Sequence, residues 1–124
     1  MTTRYTHIRA KKTQAVPVGR QKILFLDVTD EHTGRPVLED KGGTTVAWQY
    51  DDAHQKIIYA LAHCSDKDNF CRKTGRAVSS GRLAAGKHVE EVPYKDMTGD
   101  TIISPSYKQV NEWFRIVCAS PDER

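Results

Sequence analysis

The sequence predicts an α+β fold, with an N-terminal antiparallel sheet of three to four strands followed by two C-terminal helices. The front half alternates apolar, β-branched runs with short turns, which is typical of an antiparallel meander. The back half carries apolar residues at helical spacing behind serines that can cap a helix. At 124 residues, the chain is expected to form a single domain spanning 1–124.

The front half contains three runs with strong strand character. We predict strands over 22–29, 44–50 and 55–62, the last with a helix as the less favoured alternative, because β-branched and aromatic side chains crowd its centre. A short return edge is expected at 35–38, where Pro36 permits only an edge position. Short turns connect these runs, which favours antiparallel neighbours.

The N-terminal segment is basic. The first 22 residues contain six lysines and arginines and no acidic residue. We interpret residues 1–20 as a basic arm that is free to be flexible, to touch nucleic acid, or simply to lie solvated. The net charge of the whole chain is only +3, which is mild for a dedicated duplex-binding protein.

A first helix is predicted over 66–85. Ser65 can cap it with Asp68 three residues later, and Gly86 is a natural stop. At helical spacing, the face expected to pack on the sheet collects Phe70, Thr74, Ala77, Val78, Gly81 and Ala85. The opposite face collects polar and cationic residues: Asn69, Arg72, Lys73, Arg76, Ser79 and Ser80.

The polar face of this helix suggests a negatively charged partner. Arg72 and Arg76 stand one above the other and repel each other unless an anion lies between them. Arginine is also suited to bidentate contact with phosphate. Gly75 and Gly81 each cost the helix about 1 kcal/mol relative to alanine. We expect Gly81 at a tight helix–sheet contact and Gly75 where a ligand or second subunit approaches. An ordinary solvated basic face is the main alternative.

The rest of the back half predicts a loop and a second helix. Residues 87–104 are expected to form an acidic loop, and the helix to begin near 104–106 and end before Pro121. Ser106 followed by Gln109 repeats the capping pattern. The helix carries Tyr107, Val110, Phe114 and Val117 at helical spacing, with Trp113 beside them.

Several kinds of chemistry find no support in the sequence. Cys64, Cys71 and Cys118 lack metal-ligand spacing, and their odd number does not suggest a secreted disulfide framework. No phosphate-binding glycine loop or nucleophile–base set is recognisable. We therefore expect no enzyme, no metal and no cofactor. With no membrane-length apolar run or signal-peptide core, a cytoplasmic protein is expected.

One segment carries a family resemblance. The run 68–76, Asp-Asn-Phe-Cys-Arg-Lys-Thr-Gly-Arg, followed by Gly81-Arg82, resembles a helix of small bacteriophage proteins. Together with the order of sheet and helices, it resembles the phage Thoeris anti-defence proteins, which sequester cyclic ADP-ribose-type signals. The resemblance implies a homo-oligomer built from dimers that binds the signal without cleaving it. Some members of that group also hold cyclic oligonucleotides.

The leading hypothesis is thus a non-enzymatic phage protein that sequesters a cyclic nucleotide at a subunit interface. Arg72, Lys73 and Arg76 would hold phosphates, and Asn69 and Ser80 would bond ribose or base edges. Phe70, or Trp48 or Tyr50 of the sheet, would stack the base. Arg82 and Arg115 are the remaining candidate ligand-binding residues. A nucleic-acid-binding protein, or a module that docks its basic helix on an acidic host protein, is the alternative.

Overall fold

A computed structural model describes residues 2–65, 67–99 and 103–118 and confirms the α+β fold. Its strands are β1 (Arg4–Ile8), β2 (Thr13–Pro17), β3 (Ile23–Asp27), β4 (Thr44–Asp51), β5 (Lys56–His63) and β6 (Glu90–Pro93). Its helices are α1 (Arg72–Ala85), α2 (Tyr94–Thr98) and α3 (Tyr107–Cys118). Among the described helices, none is long and apolar enough to cross a membrane.

The strands form two separate antiparallel sheets. The main sheet has the order β1-β4-β5-β6, and β2 and β3 form a two-stranded ribbon of their own. Predicted strands over 22–29, 44–50 and 55–62 are confirmed as β3, β4 and β5. The predicted return edge at 35–38 makes only isolated bridges, one of which pairs Pro36 with Thr29.

The two faces of the main sheet differ in the size of their side chains. One face carries Trp48 of β4 and Tyr59 of β5, which lie opposite each other in register, and α3 packs on it through Phe114. The other face carries small residues, which α1 covers: Thr45, Ala47, Ala60 and Ala62. Because the aromatic face holds the large buried side chains, the main core lies between the sheet and α3.

The N-terminal segment and the predicted acidic loop both contain regular structure. Residues 1–20, predicted as a basic arm, supply β1 at the edge of the main sheet and β2 of the ribbon. Residues 87–104, predicted as a loop, supply β6 and the short helix α2. Both segments were too polar to be recognised as strands from their side chains, and pairing with neighbouring strands satisfies their backbone groups instead.

Some of the helix termini lie where the sequence predicted them, and one does not. At α3, the Ser106 N–H donates to Gln109 Oε1 at 2.7 Å, and the Gln109 N–H donates to Ser106 Oγ at 3.2 Å, so the capping box is confirmed. Gly86 ends α1 in the left-handed conformation, also as predicted. The predicted start of the first helix at 66 is wrong, because α1 begins at Arg72 and Ser65 instead accepts the N–H of Asp68 in a turn. The predicted end of the second helix before Pro121 lies outside the described residues.

The orientation of α1 also differs from the prediction. Gly75 and Ser79 face the sheet, and Ser79 is fully buried. Val78 is 39% exposed, and a Cβ added to Gly81 would point into open space. The prediction ranked faces by hydrophobicity, whereas a sheet surface of alanines and threonines accepts the helix by its smallest residues. Ser79 satisfies its own hydroxyl by donating to the Gly75 carbonyl oxygen at 2.7 Å.

Candidate functional site

The candidate site begins where α1 crosses the sheet. A Cβ on Gly75 would lie 2.9 Å from Thr45 Cβ and closer still to its hydroxyl, so only glycine permits this approach. Thr45 is fully buried, and its hydroxyl lies 3.0 Å from Nδ1 of His7 on the neighbouring strand β1. The close helix–sheet contact therefore fixes His7 beside the first turns of α1.

The positive charges of three arginines act on His7. Arg72 and Arg76 come from α1, and Arg115 comes from α3 and donates through Nη1 to the His7 carbonyl oxygen at 3.2 Å. Burial lowers the pKa of His7 below its usual value, and the positive charges of Arg72, Arg76 and Arg115 lower it further. We call Arg72, Arg76 and Arg115 the cationic cluster. His7 is consequently neutral near pH 7 and adds no charge to it.

No described carboxylate balances the cationic cluster. Within the described residues, neither the Arg72 nor the Arg76 guanidinium makes a hydrogen bond or an ion pair, and the first turn of α1 contains no acidic residue. Like charges four residues apart on a helix destabilise it by a few tenths of a kcal/mol, roughly. An anion bound between the two guanidinium groups would replace this repulsion with attraction, and bidentate contact would add directional hydrogen bonds.

A cavity of about 350 Å³ lies on the other side of α1, toward the end of β5. It is bounded by the loop before α1 and by the helix itself, with Asn69, Phe70 and Arg82 among its lining residues. Phe70 belongs to both regions, because its ring also meets the His7 ring edge-on at a centroid distance of 5.8 Å. The cavity and the cationic cluster are thus linked through one aromatic side chain.

Phe70 is held firmly between several neighbours. The Arg9 guanidinium lies 5.5 Å from the centre of its ring, and the ring packs so closely on Gly43 that a Cβ there would lie 2.6 Å from Phe70 Cδ2. The Phe70 backbone N–H donates to the Asp40 carbonyl oxygen at 2.8 Å. With Arg9 over one of its faces, Phe70 is suited to form a wall of a ligand site rather than an open stacking platform.

The structure distributes the eight predicted site residues over distinct places. Arg72, Arg76 and Arg115 form the cationic cluster, whereas Asn69, Phe70 and Arg82 line the cavity. Arg82 also has a structural contact, because its Nη1 donates to the Leu61 carbonyl oxygen at 2.7 Å, beyond the end of β6.

Ser80 and Lys73 belong to neither group. The Ser80 hydroxyl donates to the Arg76 carbonyl oxygen at 2.6 Å, so its proton is engaged within the helix. Lys73 is exposed and lies two residues from Gly75, about 200° around a helix of 3.6 residues per turn. The Lys73 side chain therefore points away from the sheet and from His7.

The sheet aromatics proposed as stacking partners lie on the wrong face. Trp48 is fully buried, and its indole N–H donates to Thr6 Oγ1 at 3.0 Å on the face that α3 covers. Tyr50 lies on the same face and donates to the Pro105 carbonyl oxygen at 2.8 Å. Both residues are part of the core, because the strand alternation places Thr45 and Ala47, not Trp48, under α1.

Sequence reasoning missed His7 and Thr45. Both are now central to the site, because Thr45 receives the helix and positions the imidazole. The available signal was the alternation of small residues at 45 and 47 in β4, which marks a face that can accept a glycine-bearing helix. The position of His7 depended on β1 joining β4 in the sheet, a pairing that no local pattern indicates.

The positions of the cysteines give little support to a redox or metal site. Cys64 and Cys71 both line the cavity, and hydrogen bonding to Thr74 lowers the pKa of the Cys71 thiol. In the described part of the chain, no group of three histidine, cysteine or acidic side chains is arranged to hold a metal ion.

Comparisons with known proteins do not identify a family. No protein-family model matches the chain, and neither a curated protein nor a solved structure is detectably similar to it.

Proposed function

We propose that the protein binds a small phosphate-bearing nucleotide at the cationic cluster and holds it without cleaving it. The proposed ligand is a cyclic nucleotide immune signal, either a cyclic ADP-ribose isomer or a cyclic oligonucleotide, as the resemblance to phage Thoeris anti-defence proteins implies. In this role the protein is a phage-encoded sponge in the host cytoplasm. It lowers the free concentration of the signal and leaves the host effector inactive.

The Arg72 and Arg76 guanidinium groups, which lie without a polar partner among the described residues on the helix that packs beside His7, carry this proposal. The third guanidinium group of the cationic cluster projects from a different helix. Arg72 and Arg76 would hold the phosphate from α1, and Arg115 would reach it around the β1 edge of the sheet from α3, which covers the opposite face. His7 can contribute as well, because a bound dianion would favour its protonated, hydrogen-bond-donating form.

The base is proposed to extend past Phe70 toward the cavity. Asn69 is exposed and lies at the rim of this space, where its side chain can donate to and accept from a base or ribose edge. A volume of about 350 Å³ falls within the usual size range of small-molecule sites. The cavity thus complements the cluster by offering a place for the uncharged part of the nucleotide.

Sequestration rather than catalysis fits the environment of the Thr45 hydroxyl, which lies next to His7. The pair formed by Thr45 Oγ1 and His7 Nδ1 has the spacing of a nucleophile and a base. Thr45, however, is fully buried beneath α1, at the inner wall of the cavity, and its hydroxyl is engaged with His7 Nδ1. We therefore assign this pair the task of positioning the imidazole.

The direct test is isothermal titration calorimetry with cyclic ADP-ribose isomers and cyclic oligonucleotides. We expect at least one of them to bind tightly and to be recovered unchanged by mass spectrometry afterwards. The double variant R72E/R76E should lose this binding by at least about a hundredfold, because two charge-assisted contacts become repulsive. No heat and no thermal shift with any of these nucleotides would refute the proposal.

A matched control separates a site from a general effect of charge. The double variant K73E/K87E changes the net charge by the same amount as R72E/R76E, but both of its positions are exposed and Lys73 points away from His7. We expect it to bind the nucleotide with nearly unchanged affinity. Equal losses in the two double variants would show that only bulk charge matters.

Nucleic-acid binding is the alternative use of the same arginines. It is less favoured because three cations of the N-terminal segment are already engaged: Arg4 over the Tyr107 ring, Arg9 with Asp40, and Lys11 with Asp27. Binding to an oligonucleotide would weaken steeply with salt, since phosphate contacts release counterions. A gel-shift titration at several salt concentrations distinguishes this behaviour from tight capture of a small nucleotide.

A further inference from the structure

The ribbon formed by β2 and β3 exposes apolar side chains on both of its faces. All five residues of β3 are exposed, and its sequence reads Ile-Leu-Phe-Leu-Asp. Within the described residues, the only extensive packing of either strand is against the other strand. An isolated two-stranded hairpin is at best marginally stable in water, and an exposed apolar patch of this kind marks an interaction surface.

One face of the ribbon is self-complementary. The extended chain continues beyond β3, because Thr29 pairs with Pro36 and the Asp30 N–H donates to the Arg35 carbonyl oxygen at 2.9 Å. By strand alternation, one face then carries in order Lys22, Leu24, Leu26, Val28 and Asp30. We call these five residues the self-complementary stripe. It has a cation at one end, an acid at the other and aliphatic residues between them.

The two charged ends of the stripe lie at equal distances from Leu26 along the chain. Lys22 lies four residues before Leu26 and Asp30 lies four residues after it. Two copies of the stripe packed antiparallel about a two-fold axis through Leu26 would place each Lys22 beside the Asp30 of the other copy. Within the described residues, neither side chain makes an ion pair in the monomer. Asp30 Oδ1 accepts the His32 N–H at 2.8 Å, so the second carboxylate oxygen would make this contact.

We propose that the self-complementary stripe binds the same stripe of a second copy of this chain, forming a two-fold symmetric dimer. Leu24 and Leu26 supply the apolar centre, and two symmetry-related Lys22–Asp30 pairs set the antiparallel direction. A two-fold interface requires the same patch on both partners, which this arrangement of charges provides. The interface lies on the ribbon, away from the cationic cluster, so the proposal does not depend on the identity of the ligand.

The first test is analytical ultracentrifugation of the full chain over a range from about 1 to 200 µM, since an interface this small is expected to be weak. We expect a monomer–dimer equilibrium for the wild type. L24S/L26S should be monomeric throughout, whereas I23S/F25S, which removes comparable apolar area from the opposite face of β3, should still dimerise. A monomeric wild type, or equal effects of the two double variants, would overturn the proposal.

A charge swap tests the antiparallel direction. K22E alone and D30K alone should each raise the dimer dissociation constant by about tenfold, because each creates two like-charge contacts across the axis. Mixing the two single variants should restore dimers, since in the mixed dimer both pairs again have opposite charges. The chain with both substitutions, K22E/D30K, should dimerise by itself for the same reason.

The restored dimers also show that the single variants are folded. If K22E and D30K weaken the dimer but neither mixing nor combining them restores it, the antiparallel arrangement is wrong. Circular dichroism of each variant at a concentration where the wild type is monomeric provides an independent check of folding.

Discussion

The two faces of the main sheet are covered by helices that pack in opposite ways. Under α3, the sheet presents Trp48 and Tyr59, which interdigitate with Phe114 at ring-centroid distances of 6.5 and 4.9 Å. Under α1, the sheet presents alanines and threonines, and the helix approaches through Gly75 and Ser79. Packing on the first face buries a large apolar area, which stabilises the fold. Packing on the second face brings the backbone of α1 close to the sheet.

This difference assigns separate tasks to the two helices. The α3 face buries the large apolar side chains that hold the domain together. The α1 face buries little apolar area, but it brings the arginines of the helix next to His7 on β1. The face with the smaller contribution to stability is thus the one that builds the candidate site. The two faces should respond oppositely to changes in side-chain size.

The largest effect is expected on the aromatic face. Phe114→Ala removes a fully buried ring and leaves a cavity against Trp48 and Tyr59, which should destabilise the protein by about 3–5 kcal/mol. Urea unfolding monitored by tryptophan fluorescence measures the loss. The exposed Tyr107 provides a comparison on the same helix, since Tyr107→Ala should cost much less. Similar losses for both variants would show that α3 does not anchor the core as described.

On the small-residue face, enlargement rather than truncation should be harmful. Gly75→Ala places a methyl group against the buried Thr45, so the helix must move away from the sheet. Overpacking of this kind costs about 1–3 kcal/mol, which exceeds the helix-propensity gain of alanine over glycine. The same movement would displace Arg72 and Arg76 from His7. We therefore expect lower stability in urea unfolding together with weaker nucleotide binding in calorimetry. Unchanged stability would mean that Gly75 is not the contact point.

The second glycine of α1 is a matched control with the opposite sign. Gly81 lies in the same helix and has open space where a Cβ would be. Gly81→Ala should stabilise the protein by about 0.5–1 kcal/mol through helix propensity alone. Parallel urea titrations of the two glycine variants compare them directly. Destabilisation by Gly81→Ala would contradict the orientation of α1.

These two glycines also mark the limit of what the sequence could predict. Strand alternation, the Ser106–Gln109 capping box and the stop at Gly86 depend on neighbouring residues, and all three were predictable locally. The face that α1 turns to the sheet depends on the size of side chains in β4, a strand that lies far from it in sequence. Hydrophobicity alone therefore predicted that the face with Val78 and Gly81 packs on the sheet. The structure instead places Gly75 at the helix–sheet contact and leaves Gly81 in open space.

The candidate site was predictable to a similar extent. Charge and spacing on one helix were enough to select Arg72 and Arg76, because residues four apart always share a face. The convergence of Arg115 and His7 with them requires β1, α1 and α3 to meet, and nothing local encodes that meeting. Lys73, one residue after Arg72, was predicted to belong to the site because the sequence placed the wrong face of the helix against the sheet.

The smallest expected effect is a pH dependence that comes from His7. Burial and the charges of Arg72, Arg76 and Arg115 lower the pKa of His7 in the folded state below the unfolded value of about 6.5. As the pH falls below 6.5, the unfolded chain takes up this proton more readily than the folded chain, so the free energy of unfolding decreases. In His7→Gln, urea unfolding between pH 7.5 and about 5.5 should give a flatter slope than in the wild type.

A bound phosphate should reverse the electrostatic part of this shift. Its negative charge offsets the three guanidinium groups, so the pKa of His7 should rise when the nucleotide binds, and affinity should increase as the pH falls toward 6. NMR titration of the His7 ring proton, with and without the cyclic nucleotide that binds in calorimetry, measures both values. If the pKa of His7 is the same in the free and bound protein, the phosphate does not lie beside His7. Nucleotide binding would then have to be sought in the cavity alone, on the far side of α1.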